Sequence, residues 1–136
     1  ASPQRVVARL PEVPVWVRGD AGGLRQVIHN LVRNAQQALG EETDAEILIQ
    51  VEIGGNGRPR AELSVADNGP GFPEELLENI FEPYVTSRPR GTGLGLAIVK
   101  KIVEEHDGSI VARNRAGAGA EVRVGLPLLE KGESTS

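Results

Sequence analysis

The chain has 136 residues, of which 39% are hydrophobic and 25% are charged, a balance typical of one folded domain rather than a disordered segment. It has no cysteine and two histidines, which excludes disulfides, thiolate metal sites and a cysteine nucleophile, and argues against a histidine-rich metal site. The net charge of −4 argues against a general nucleic-acid-binding protein, and no apolar run approaches the ~18 residues of a membrane span.

The first half of the chain is predicted to place strands around one long helix. Alternating apolar residues near the N-terminus are interrupted by proline, which predicts short strands. Farther on, apolar residues recur every three or four positions between a capping aspartate and a glycine, which predicts an amphipathic helix. The predicted elements are strands over Arg5–Leu10 and Val13–Arg18, a helix from the N-cap Asp20 to the stop at Gly40, and a hairpin of Glu46–Ile53 with Arg60–Ala66.

The second half is predicted to hold two more helices and to close on two strands. The predicted elements are a short helix Glu74–Ile80, a loop Glu82–Thr92, a helix Leu94–His106 and strands Ser109–Asn114 and Ala120–Leu126. Six strands and three helices in this order predict an α+β fold, a two-layer α/β sandwich. We expect residues 1–130 to form this single domain and residues 131–136 to form a polar tail.

Two asparagines mark one edge of the long helix. Asn30 and Asn34 are four residues apart, so they share a face beside the apolar stripe. Asparagine costs about 0.5 kcal/mol relative to alanine inside a helix, so the pair requires an explanation. It is either a polar edge satisfied by hydrogen bonds or a ligand wall, because amide oxygens can bind a hard cation such as Mg²⁺.

A turn of aspartate and glycines follows the predicted hairpin. The run Asp67-Asn68-Gly69-Pro70-Gly71-Phe72 places a carboxylate at a strand end and glycines where a ligand could approach the backbone closely. The same residue types are common in ordinary turns, so the run alone fits either role.

A glycine-rich run opens the last helix. Gly91-Thr92-Gly93-Leu94-Gly95-Leu96 would let backbone amides bind an anion at the positive end of the helix, with Arg88 and Arg90 adding charge. It is not the dinucleotide fingerprint, because its sixth position is Leu96 and no strand precedes it closely. It is not a Walker A loop, because no Gly-Lys-Ser/Thr follows. A flexible hinge is the alternative.

The order and spacing of these runs resemble the ATP-binding catalytic domain of sensor histidine kinases. The similarity covers about Asp20 to Pro127, and the run Phe81–Ile98 is most similar to nitrogen-regulation kinases of the NtrB/NtrY type. The matching runs are His29–Ala35 (N box), Asp67–Gly71 (first glycine box), Ile80–Tyr84 (F box), Gly91–Leu96 (second glycine box) and Gly117–Gly119 (third glycine box).

The resemblance implies the Bergerat fold, a mixed sheet under three main helices that holds ATP and Mg²⁺ beneath a lid. By position, Asp67 would accept a hydrogen bond from the adenine amino group and would repel the guanine carbonyl. Asn34 would coordinate Mg²⁺, and Asn30 would assist with the metal or the phosphates. Gly69 and Gly71 would let the backbone approach the nucleotide.

The resemblance also implies a lid and two departures from the family pattern. Arg88 stands where a lysine is common, so its phosphate contact would be forked. Ala120 stands where a threonine is common, so the adenine contact of that hydroxyl would be missing or supplied by water. Phe81 and Tyr84 would anchor the lid, and Gly91, Gly93 and Gly95 would form its hinge and phosphate cradle. The other residues expected to bind the nucleotide here are Arg88, Thr92, Leu94 and Leu96.

Position 30 separates the activities found in the superfamily. Members that hydrolyse ATP, and the anti-sigma serine kinases, carry a glutamate there to activate a nucleophile, and Asn30 cannot act as that base. A neutral imidazole needs less activation. The resemblance therefore implies transfer of the ATP γ-phosphate to a histidine, and very slow ATP hydrolysis by this domain alone.

We expect the acceptor histidine to lie on a separate dimerisation domain of a longer protein. His29 belongs to the N box and His106 to a helix-to-strand turn, so both are predicted to be structural. The resemblance further implies a downstream response regulator, no nucleic-acid partner and an isolated domain that is a monomer. It also implies that the domain is cytoplasmic, in a parent protein that can itself be membrane-anchored. The alternative is a regulatory ATP-binding module that transfers no phosphate.

Overall fold

The computed structural model describes residues 4–41, 44–55, 57–85 and 93–129. Within these ranges the chain forms five strands and three helices. They are β1 (Arg5–Arg9), α1 (Ala21–Leu39), β2 (Glu46–Gly54), β3 (Arg60–Asp67), α2 (Glu74–Leu77), α3 (Gly95–Glu105), β4 (Ser109–Asn114) and β5 (Ala120–Pro127). The predicted tail 131–136 lies outside the described residues.

The described strands form one mixed sheet in the order β1-β2-β3-β5-β4. β1 runs parallel to β2, and the other three pairs are antiparallel. Ile49, Val65, Val122 and Ala112 stand opposite one another across four strands; Val65 and Val122 are buried in the core, and Ile49 and Ala112 pack against it. Because this alternation leaves one face apolar, that face carries the helices. The predicted two-layer sandwich with a mixed sheet is confirmed.

α1 begins and ends where its capping residues predict. The Asp20 carboxylate accepts hydrogen bonds from the backbone N–H groups of Gly22 and Gly23 at 3.2 and 3.1 Å, which satisfies donors that have no partner within the helix. Gly40 follows the helix with a φ of +53°. The apolar stripe between these caps is buried, and it packs in one cluster with α3 through Val27, Leu31, Ala35, Leu39, Val99 and Val103.

Two predicted elements differ from the structure. The prediction of a strand over Val13–Arg18 is wrong: Pro14 has no N–H to donate, and this segment forms no ladder, although the Trp16 carbonyl accepts a hydrogen bond from Leu129 N–H at 2.8 Å. The short helix ends at Leu77 rather than Ile80, because bonds to the third preceding residue tighten its end into turns. No helix in the described ranges is long and apolar enough to cross a membrane.

Candidate nucleotide-binding site

Asp67 ends β3 as a buried carboxylate with 3% of its surface exposed. Its Oδ1 accepts a hydrogen bond from the backbone N–H of Gly69 at 2.9 Å. A carboxylate can accept several hydrogen bonds through its two oxygens, so Asp67 at the end of a strand is a candidate for binding a donor on a ligand. The first glycine box predicted a functional carboxylate at this position.

Asn68 joins the loop after Asp67 to the neighbouring strand. Its Oδ1 accepts a hydrogen bond from Glu46 N–H at 2.7 Å, and its Nδ2 donates to the carbonyl of Asp44 at 2.9 Å. One amide therefore satisfies two backbone groups where β2 begins. The sequence identified Asn68 only as a turn residue, because partners 22 and 24 residues away leave no local pattern.

The third glycine box packs directly against the first. Gly119 is buried and has a φ of +97°, and a Cβ there would overlap the carbonyl oxygen of Asp67 and lie 2.9 Å from the Cα of Asn68. Only glycine allows this close approach of two backbones. Ala120 follows it as a buried residue of β5, and its methyl group offers no hydrogen bond to a base.

The N-box asparagines lie on a face of α1 that leads to this loop. Asn30 and Asn34 are half-buried, and Ala38 continues the same face one turn farther on. A Cβ on Gly69 would lie 3.4 Å from the carbonyl oxygen of Ala38, so the first glycine box packs at the end of this face. The structure therefore brings the asparagines and Asp67 to one side of the domain.

The start of α3 lies beside the same part of α1. The Asp20 N–H donates to Nε2 of His106 at 2.9 Å, so the C-terminus of α3 meets the N-terminus of α1, and the two helices pack side by side in opposite directions. α3 has 11 residues, about 16 Å at 1.5 Å per residue. The same length measured along α1 reaches the turn that carries Asn30 and Asn34.

Gly95 leaves the N-terminus of α3 open. Apart from its chain neighbours and the nearby backbone of its own helix, no described atom lies within 4 Å of a Cβ built on Gly95, so there is open space beside the positive end of the helix. Leu94 immediately precedes the helix. The Leu96 side chain is buried in the core, so only the backbone of Leu96 is available for contact with a ligand. This geometry suits an anion beside the asparagine face.

The described ends of the predicted lid meet at Tyr84 and Gly93. The Tyr84 N–H donates to the carbonyl of Gly93 at 2.8 Å. Phe81 packs against the core, whereas the Tyr84 side chain is 76% exposed, so Tyr84 ties the lid through its backbone. Arg88, Gly91 and Thr92 lie outside the described residues, and their phosphate contacts stay predictions.

The two histidines differ in their surroundings. His29 is exposed on α1. His106 pairs its Nδ1 with the carbonyl of Ile102 at 2.7 Å, while Nε2 accepts from Asp20 N–H. A neutral ring that donates from Nδ1 satisfies both bonds, so His106 holds the two helices together, as a structural residue does.

Sequence reasoning missed two residues next to the candidate site. Asn114 ends β4 and bonds to the backbone of Phe72, and Arg115 bonds to the carbonyl of Asp67. Their partners lie 42 and 48 residues away. The only local signal was their place directly before the third glycine box.

Comparison with known families shows which family the chain belongs to. Residues 19–130 match the family of histidine kinase-, DNA gyrase B- and HSP90-like ATPases. The chain belongs to this family. ATP is therefore the nucleotide that family membership implies, and the predicted membership of this family is confirmed.

Within the family, the similar proteins are sensor histidine kinases. The chain is 40% identical to the sensory histidine kinase/phosphatase NtrB of Rhodobacter capsulatus over 89% of its length and 36% of that protein. It is 36% identical to the catalytic domain of the histidine kinase ThkA, with a TM-score of 0.78 over 91% of this chain and 78% of that one.

The full-length kinase ShkA, solved in complex with AMPPNP, is 29% identical with a TM-score of 0.74 over 92% of this chain and 26% of that one. The chain spans about a quarter to a third of the length of the curated relatives it matches. These likenesses identify it as a histidine kinase catalytic domain.

Proposed function

We propose that this domain binds Mg²⁺-ATP and transfers its γ-phosphate to a histidine on a separate dimerisation domain of the same parent protein. The observation that carries the proposal is the convergence of the buried Asp67, the asparagine face of α1 and the open start of α3. A response regulator downstream and a cytoplasmic location belong to the same proposal.

The base-binding part of the proposal rests on Asp67. An ionised carboxylate only accepts hydrogen bonds, so it suits the amino group of adenine and opposes the carbonyl oxygen at the same position of guanine. The relative ShkA has been solved with AMPPNP, an adenine nucleotide, in a fold that superimposes closely on this one. We therefore expect selectivity for ATP over GTP.

The metal-binding part rests on Asn30 and Asn34. Amide oxygens are hard ligands, and Mg²⁺ usually takes few protein ligands and completes its shell with water and substrate phosphates. No cluster of three or more His, Cys, Asp or Glu residues suited to a metal occurs in the described ranges. The half-buried amides beside the start of α3 fit Mg²⁺ held between protein and phosphates. When bound, the ion would neutralise phosphate charge.

The composition of α1 supports transfer to histidine rather than hydrolysis. Residues Ala21–Leu39 include no aspartate or glutamate, so this helix offers no carboxylate to deprotonate a water molecule. A neutral imidazole nitrogen carries its own lone pair. In the proposed reaction that nitrogen forms a bond to the γ-phosphorus, the bond from phosphorus to the bridging oxygen breaks, and ADP leaves. The open N-terminus of α3 would stabilise phosphate charge.

Two measurements test the proposal. Titration with ATP and GTP, each with and without Mg²⁺, should show selective, Mg²⁺-enhanced binding of ATP and very slow hydrolysis. Addition of the parent's dimerisation domain and γ-labelled ATP should then label the acceptor histidine. Rapid Mg²⁺-dependent hydrolysis by the isolated chain would contradict the assignment, and tight binding without transfer would support a regulatory module instead.

A further inference from the structure

We propose that Asn114 and Arg115, at the end of β4, are positioning residues that hold the base-binding loop in its adenine-selective shape. The base-binding loop comprises residues 67–72. This inference rests on the proposed function, because it assigns the selectivity of that site to residues that need not touch the nucleotide.

Asn114 holds the far end of the loop with two hydrogen bonds. Its Oδ1 accepts from the backbone N–H of Phe72 at 2.7 Å, and its Nδ2 donates to the Phe72 carbonyl at 2.9 Å. Both backbone groups of Phe72 lie outside the sheet ladder, so this amide replaces the partner that a neighbouring strand would give. A paired contact also fixes orientation, which a single hydrogen bond does not.

Gly71 shows how closely the Asn114 side chain approaches the loop. Gly71 has a φ of +84°, and a Cβ there would lie 2.8 Å from Asn114 Oδ1 and 3.2 Å from the carbonyl oxygen of Gly119. The loop therefore fits against the end of β4 with no room for a side chain. Asn114 in turn stands opposite Ala120 in the register of β4 and β5, so the sheet sets its position.

Arg115 holds the near end of the same loop. Its guanidinium donates from Nη1 to the carbonyl of Asp67 at 2.9 Å, and its backbone N–H donates to the Gly119 carbonyl at 2.9 Å. The carbonyl of Asp67 thus meets Arg115 on one side and the bare backbone of Gly119 on another. Together with Asn68, these contacts fix the backbone on which the Asp67 carboxylate stands.

The consequence concerns selectivity as well as affinity. A hydrogen bond between a carboxylate and adenine discriminates against guanine only while the carboxylate is held in one place, since a loop that can shift can avoid the guanine carbonyl. Loss of the Asn114 bonds should therefore lower the preference for ATP over GTP. A variant that was merely less stable would lower both affinities in proportion.

The test compares Asn114→Ala with Arg113→Ala in the full chain. Arg113 is the neighbouring residue, and its side chain pairs with Glu121 rather than with the loop. We measure ATP and GTP dissociation constants well below the unfolding temperature, urea unfolding, and amide hydrogen exchange at Phe72. For Asn114→Ala we expect about tenfold weaker ATP binding, a smaller preference for ATP over GTP, and loss of hydrogen-exchange protection at the Phe72 amide. Arg113→Ala should keep the wild-type ATP affinity, preference for ATP over GTP and protection at Phe72.

A second variant covers the case in which Asn114→Ala folds poorly. Arg115→Ala removes only the bond to the Asp67 carbonyl from an exposed residue, and we expect about threefold weaker ATP binding with unchanged urea stability. If both variants bind ATP with wild-type affinity and selectivity, the positioning role is overturned while the proposed function stands. If the wild-type chain itself fails to bind ATP, the proposed function and this inference both fail.

Discussion

The two sides of the candidate site are built in different ways. On the base side, the loop that follows Asp67 is held by three side chains, those of Asn68, Asn114 and Arg115. On the phosphate side, the described ends of the lid meet through the backbone bond between Tyr84 and Gly93, and the Tyr84 side chain faces solvent.

In the proposed function, the base and the phosphates of the nucleotide are therefore recognised by two differently built parts of the domain. In the proposed function, the side chains that hold the loop fix the position of Asp67, which lowers the conformational entropy lost when adenine binds. In the proposed function, the phosphate side comprises the start of α3 and the asparagine amides of α1, which would act together with the phosphates and Mg²⁺. The following variants test this division, in order of decreasing expected effect.

The largest effect should come from Gly119→Ala, which attacks the base side at its tightest point. The new methyl group would overlap the carbonyl oxygen of Asp67. We expect the free energy of unfolding to fall by about 3 kcal/mol, and ATP binding to be lost at moderate nucleotide concentrations. Urea unfolding and calorimetric titration measure the two effects.

Gly117→Ala is the matched control for this prediction. Gly117 lies in the same turn with a nearly equal φ of +95°, but nothing lies within 4 Å of its Cβ position. Backbone strain alone should cost it about 1 kcal/mol. Equal losses in the two variants would mean that the close contact with Asp67 is unimportant.

Asp67→Asn should weaken ATP binding by roughly tenfold to a hundredfold, because it replaces a charged acceptor with a neutral amide. Asparagine can still accept the hydrogen bond from Gly69 N–H, so the fold should stay nearly intact. The preference for ATP over GTP should also fall. Asp107→Asn, an exposed aspartate after α3, serves as the control. Unchanged ATP affinity would remove Asp67 from the adenine site.

Asn34→Ala tests the phosphate side. We expect the gain in ATP affinity that Mg²⁺ provides to shrink by about tenfold, with a smaller effect on binding of metal-free ATP. Gln37→Ala, an exposed residue nearly one turn farther along α1, should leave both values unchanged. An equal loss with and without Mg²⁺ would instead show that Asn34 is structural.

The smallest effect on nucleotide affinity should come from Tyr84→Ala. Its side chain is exposed and its anchoring bond comes from the backbone, so we expect less than about a twofold change in ATP affinity. Phe81→Ala, by contrast, removes a ring that packs against the core and should cost about 2 kcal/mol of stability. A large affinity loss for Tyr84→Ala would show that the ring contacts the nucleotide.

Much of the fold could be predicted because its signals are local. The Asp20 cap, the apolar stripe of α1 and the Gly40 stop lie within one stretch of chain, and the strands from β2 onward alternate clearly. Val13–Arg18 also alternates, but Pro14 has no N–H to donate and the segment forms no ladder with a neighbouring strand. Alternation shows which residues can share a face, whereas only a neighbouring strand makes a ladder.

By itself, the sequence determined most of the elements, the two caps of α1 and the five boxes that resemble the family. The tertiary structure alone decided how the boxes meet: Gly119 lies against the Asp67 carbonyl, α3 packs beside α1 in the opposite direction, and Asn114 and Arg115 bond to the base-binding loop. Caps and periodicity act over a few residues, so they can be read along the chain. The contacts that hold the base-binding loop join the side chains of Asn114 and Arg115 to backbone groups 42 and 48 residues away, and only the completed sheet brings them within hydrogen-bonding distance.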